Sequence, residues 1–127
     1  MSILALLAAS VMGLTELPPQ KPVPGRCLVF IWVKSNPPLR LAMIDETAKT
    51  MRLRKGKQMF DISEIAPGQY GGHGYRTTMV LSFAPSPGIT NGAIIESGSM
   101  RIEQVAPNGA PAGEIMTFPV GGMRACQ

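Results

Sequence analysis

LRLAMIDETAKTMRLRKGKQMFDI, Leu39–Ile62, is the stretch on which the fold turns. Its composition places one turn over Glu46–Lys49 (ETAK) and another at Lys55-Gly56 inside RKGKQ, where polar and glycine residues interrupt two β-favouring runs. Counting outward from these turns sets Ala42 against Leu53, Ile44 against Met51, and Met51 against Phe60, all on one side. The other side collects Asp45, Thr50, Arg52, Arg54, Lys57 and Asp61, with Met43 and Met59 among them. Strand side chains alternate with a period of two, so a slip of one residue would send the whole apolar set to water. Two independently placed turns that share one apolar face therefore predict a three-stranded antiparallel meander.

Upstream of the meander runs CLVFIWVK, Cys27–Lys34, uncharged until its last residue and rich in Val, Ile, Phe and Trp. It is far shorter than the ~20 residues a membrane helix needs, and Pro37 and Pro38 end it. Without alternation, it reads as a strand buried on both faces. Downstream, RTTMVLSF (Arg76–Phe83) puts Thr77, Met79, Leu81 and Phe83 on one face. Ser97-Gly98 is expected to turn a hairpin, setting Ile95 against Met100 and Ala93 against Ile102, and GEIMTFPV supplies a last strand before RACQ. No segment keeps a helical period, and 14 Gly with 12 Pro favour many turns. The expected fold is all-β: a single small sandwich or barrel of seven to eight short antiparallel strands. A chain of 127 residues suffices for one modest core.

The N-terminal run Ile3–Met12 is apolar, too short to span a bilayer, and accompanied by small residues (Ala8, Ala9, Ser10, Gly13), although no Lys or Arg precedes it. This pattern predicts a secretory signal peptide over 1–13. A Pro-rich linker follows over 14–25, with Pro18, Pro19, Pro22 and Pro24, and then a β domain over 26–127. No stable membrane span is expected after signal cleavage. Cys27 and Cys126 are the two cysteines, and in an oxidising compartment they read as one disulfide tying the first folded residues to the last. The expected location is periplasmic or secreted. A catalytic thiol is disfavoured, because Cys27 has no adjacent His and Cys126 has only Arg124 nearby.

Chemistry-bearing residues are few. The single histidine, His73, sits in GQYGGHGY between Tyr70 and Tyr75, read as a solvated glycine-rich crossover. No phosphate loop and no G-x-S-x-G occur, and one His without C-x-x-C makes no zinc set, so neither cofactor nor metal is expected. The methionines fall mainly at core-facing positions, where they fill gaps, with a Cu(I) site using Met and His73 as an alternative. Net charge is +4, and Lys49, Arg52, Arg54, Lys55 and Lys57 cluster. Arg52, Arg54 and Lys57 share the outer face of the meander, which suits an anionic envelope component or an acidic protein partner. Nucleic acid is disfavoured by export and by the scarcity of aromatics around the cluster.

The expected function is that of an exported, non-catalytic binding or interaction module in a bacterial cell envelope, with Arg52, Arg54, Lys57, Tyr70, His73 and Tyr75 as candidate contacts. One alternative is a periplasmic enzyme inhibitor presenting the Gly68–Gly74 loop. Another is a small hydrolase using His73, for which no nucleophile is recognisable.

Overall fold

Antiparallel pairing carries the chain round a closed circuit. The computed structural model describes residues 10–89 and 92–126; most of the expected leader, residues 1–9, lies outside them. The strands are β1 (Ser10–Val11), β2 (Leu14–Thr15), β3 (Cys27–Val33), β4 (Leu39–Asp45), β5 (Thr50–Lys55), β6 (Gln58–Ala66), β7 (Gln69–Gly72), β8 (Tyr75–Pro85), β9 (Ala93–Val105) and β10 (Pro111–Cys126). From β3 to β10 each strand pairs with the next, and β10 returns to β3, giving an eight-stranded up-and-down barrel. The short β1–β2 hairpin is hooked onto it at Leu14↔Lys55. Of the two expected architectures, the chain adopts the barrel. Among the described residues no helix is long and apolar enough to cross a membrane.

The meander over Leu39–Ile62 forms as expected, with Ile44 opposite Met51. Its second turn lies one residue further on than expected: Lys55 pairs with Gln58, so Gly56-Lys57 forms the loop and Met51 faces Ile62, while Phe60 faces Leu53. Gly56 has φ of 61°, and a two-residue hairpin with positive φ at its first central position places glycine there. The shift moves the pairing by two residues, an even number, so Met51, Leu53 and Ile62 still point inward and are buried. A bulge in β4 sets Ile31 against Ala42 and Trp32 against Arg40, leaving Leu41 as the extra residue. Through it Leu39, Leu41, Ala42 and Ile44 all reach the core while Arg40 and Met43 face outward.

Ser97-Gly98 does not turn. Both residues lie inside β9, which runs unbroken for 13 residues between β8 and β10, so Met100 faces Met79 and Phe118 rather than Ile95. The glycine answers to close packing instead. A β-carbon on Gly98 would lie 2.9 Å from Leu81 Cδ2, 3.0 Å from Val120 Cγ2 and 3.1 Å from Ile95 Cγ2. The last strand likewise extends through Arg124 to Cys126, and β8, β9 and β10 are longer than the short strands expected.

Inside the barrel Leu53, Met51, Ile62, Met100, Ile102 and Val120 are at most 1 % exposed, a filled interior of the kind an eight-stranded barrel allows. The two ends differ. At one, Met12 and Leu14 of the N-terminal hairpin pack against the core, and the Tyr75 hydroxyl donates to the Met12 carbonyl at 3.0 Å. At the other, Cys126 stands opposite Cys27 in the β10–β3 register and is bonded to it, with the Cα atoms 4.0 Å apart. This disulfide closes the seam between the first and last barrel strands, and such bonds persist in oxidising compartments.

Candidate binding groove

The stretch expected to serve as a linker, 14–25, is laid against the barrel. Leu14 and Leu17 are buried, Leu17 N–H donates to the Arg40 carbonyl at 2.8 Å, and Arg54 donates to the Glu16 carbonyl at 3.1 Å. Arg52 reaches the same strap through Gln20 Oε1 at 3.0 Å while making a two-pronged pair with Asp61, at 2.9 and 3.2 Å. Two of the three expected basic contacts thus hold the chain's own strap. Lys57 stands apart, exposed in the β5–β6 turn.

His73 and Gly74 form the two-residue β7–β8 turn, both with positive φ (52° and 82°), so the GQYGGHGY segment is strand and tight hairpin rather than an open crossover. The His73 ring lies 4.9 Å from that of Phe60 and shares a concavity with Lys55, Gln58, Met59 and Tyr75. Among the described residues that lining contains no Ser, Thr or Cys and no carboxylate. Tyr70 belongs to the opposite end, so the two tyrosines flanking His73 in sequence do not meet around it. There Tyr70 joins Val29, Ile44, Met79, Leu81 and Phe83 in an open mouth of about 400 Å³, rimmed by Glu46, Lys49 and Glu64. Burial, then the charges of Glu64 and Glu46, push its phenol up to about 12.

Sequence reasoning missed a third concavity, on the outside of the barrel. In β3 the side chains of Val29 and Ile31 enter the core, whereas Leu28, Phe30 and Trp32 point outward. The register continues this outer apolar row across the sheet: Met43 on β4 faces Phe30, Phe30 faces Met123 on β10, and Met123 faces Ile94 on β9. Leu17 of the strap covers Met43, Leu28 and Phe30, forming a small second core. Among the described residues coverage stops there, and Ile94 is 45 % exposed.

Between the strap and the uncovered half of this row runs a groove of about 380 Å³. Pro18, Pro19 and Pro22 make one wall, and Phe30, Trp32 and Met123 make the other. Trp32, the only tryptophan, stands opposite Gly121, and its indole lies over that residue: a β-carbon there would come within 2.7 Å of Trp32 Nε1 and 3.4 Å of Lys34 Cε. Arg40, the register partner of Trp32, is the one ionisable group among the described residues of the lining. No protein-family model, curated protein or solved structure matches the chain. The signal that could have revealed the groove is the missing alternation of CLVFIWVK: a barrel strand with apolar residues on its outer face needs something to cover them.

Proposed function

We propose that the chain is an exported, non-catalytic binding module of a bacterial-type cell envelope, periplasmic or secreted, that receives an apolar ligand in the groove beside its proline strap. The observation that carries this reading is the outer apolar row of β4, β3, β10 and β9, which the strap covers only as far as Phe30. A concave, mainly apolar site with a few polar groups at its margin is the usual form of a small-molecule site. Side chains fill the middle of the barrel, and the mouth beside Tyr70 is rimmed by Glu46, Lys49 and Glu64, whereas the outer groove is lined mainly by apolar residues, which favours the groove for an apolar ligand. Export is supported by the Cys27–Cys126 bond.

Trp32 reports on the groove directly. Titration with the neutral fluorescent probe N-phenylnaphthylamine is expected to quench Trp32 saturably at one probe per chain. Met123→Glu, which places a charge in the wall, should abolish the response while leaving the melting temperature within a few degrees. A probe response unchanged by Met123→Glu would remove the groove as the site.

A further inference from the structure

The groove is apolar along its length and cationic at one end. Trp32 and Arg40 are register partners on the outer face, and the Lys34 side chain runs beside the indole above Gly121. Two cations therefore flank the one tryptophan. Glu16 is the opposing charge: its Oε2 lies 3.9 Å from Arg40 Nε but also accepts the Arg40 backbone N–H at 3.2 Å, so it balances only part of this charge. Among the described residues no carboxylate lines the groove itself. Away from Arg40, Phe30, Met123, Pro18 and Pro22 form apolar walls, and the amide of Gln20, which also lines the groove, is engaged by the Pro18 carbonyl and by Arg52.

Resting on the reading of this groove as a binding site, we propose that its ligand is a single-chain anionic amphiphile, a fatty carboxylate. The tail lies along Phe30 and Met123, and the carboxylate meets Arg40 and Lys34 beside Trp32. Volume supports one chain rather than two, since about 380 Å³ sits near the lower limit of small-molecule sites, roughly 300 to 1,000 Å³. Charge supports the acid over an amine, because a cationic head would meet Arg40 and Lys34 and leave Glu16 already engaged. The arginine is half exposed, so the head sets orientation and preference while the tail supplies most of the affinity.

The test uses the oxidised full chain with decanoate and decanol, both below their aggregation limits, followed by Trp32 emission and by calorimetry. Decanoate is expected to bind one per chain, roughly fivefold more tightly than decanol, with the margin shrinking as salt is added. Each methylene removed from the acid should cost about fourfold in affinity. Arg40→Gln combined with Lys34→Gln should abolish the preference, bringing decanoate to the affinity that the same variant shows for decanol. Equal binding of acid and alcohol by the wild-type chain overturns the anionic assignment, while the groove stands if N-phenylnaphthylamine still fills it. Silence of Trp32 toward all three probes overturns both.

Discussion

Tyr75 of β8 and Met12 of the N-terminal hairpin are joined at one barrel end by a hydrogen bond of 3.0 Å from the phenol to the backbone carbonyl. The tyrosine is buried, and its ring sits 6.0 Å from Phe60 with the Lys55 ammonium 5.8 Å from its centroid. The N-terminal hairpin therefore serves as a stopper for this end, with Leu14 as the apolar plug and the Tyr75–Met12 bond as its catch. Met12 falls within the expected leader, 1–13, so this catch belongs to the uncleaved chain, whereas the groove wall is held by Leu17 and by the Arg52 and Arg54 contacts.

Tyr75→Phe in the uncleaved full chain tests the catch. The ring and its packing are kept and one hydrogen bond is lost, so the expected loss is about 1 kcal/mol in denaturant unfolding. Exchange of the Leu14 amide should accelerate well beyond that of β9 amides, because the hairpin opens locally before the barrel does. Equal acceleration of both would show that the hairpin and barrel unfold as one unit.

Reduction of the disulfide tests the seam. Cys27 and Cys126 are separated by 99 residues, and in the chain-entropy view a loop of that size is worth about 4 to 5 kcal/mol. The reduced chain should melt several degrees lower. Protein freshly isolated from its native compartment should resist thiol alkylation. Full labelling of both cysteines there would contradict export.

Asp45 makes a pH prediction. Burial by itself raises its pKa, but hydrogen bonds from the Ala48 N–H and from Arg26, the charge of Arg26, and the Thr47 N–H together hold it below its ordinary value of 3.8. The unfolded chain thus takes up this proton more readily than the folded one. Its stabilisation is present above about pH 4 and is lost as the pH falls through the lower folded value. Asp45→Asn should cost about 2 kcal/mol near neutral pH, and should flatten the acid limb of the stability curve. An unchanged acid limb would assign acid sensitivity to other carboxylates.

What the sequence disclosed, and what it hid, follows from the range of the interactions involved. The Leu39–Ile62 meander was legible because its register is set locally: the turns lie within a few residues of the pairs they align, and burial punishes an odd slip. The disulfide was legible because two cysteines admit a single pairing. Gly98 was misread for the opposite reason. Its lack of a side chain is required by Leu81 and Val120, which lie on other strands, and composition alone cannot tell such a glycine from a turn. The groove was hidden in the same way, since it arises where a strap from one end of the chain meets β10 from the other.

The outer cations give the sharpest contrast between what the pattern suggested and what the fold does with it. Alternation correctly puts Arg52 and Arg54 outside the barrel, and on that basis their reversal to Glu would be expected to leave the fold nearly intact. In the folded chain they clamp the strap: Arg52 holds Asp61 and Gln20, and Arg54 holds the Glu16 carbonyl. Reversal at Arg52 would set a glutamate against Asp61, and reversal at Arg54 would turn a donor into an acceptor facing a carbonyl. Arg52→Glu with Arg54→Glu should therefore cost about 2 kcal/mol and free Leu17 from the second core, with faster exchange of the Leu17 amide. The barrel should survive, because Met51 and Leu53 on the other face are untouched. Loss of the strap also removes the Pro18 and Pro22 wall, so binding of N-phenylnaphthylamine should fall even though neither arginine lines the groove. Probe binding retained at full strength in a variant with a released strap would show that Trp32, Phe30 and Met123 suffice as the site. Unchanged stability and exchange would mean that the strap is held by Leu14 and Leu17 alone.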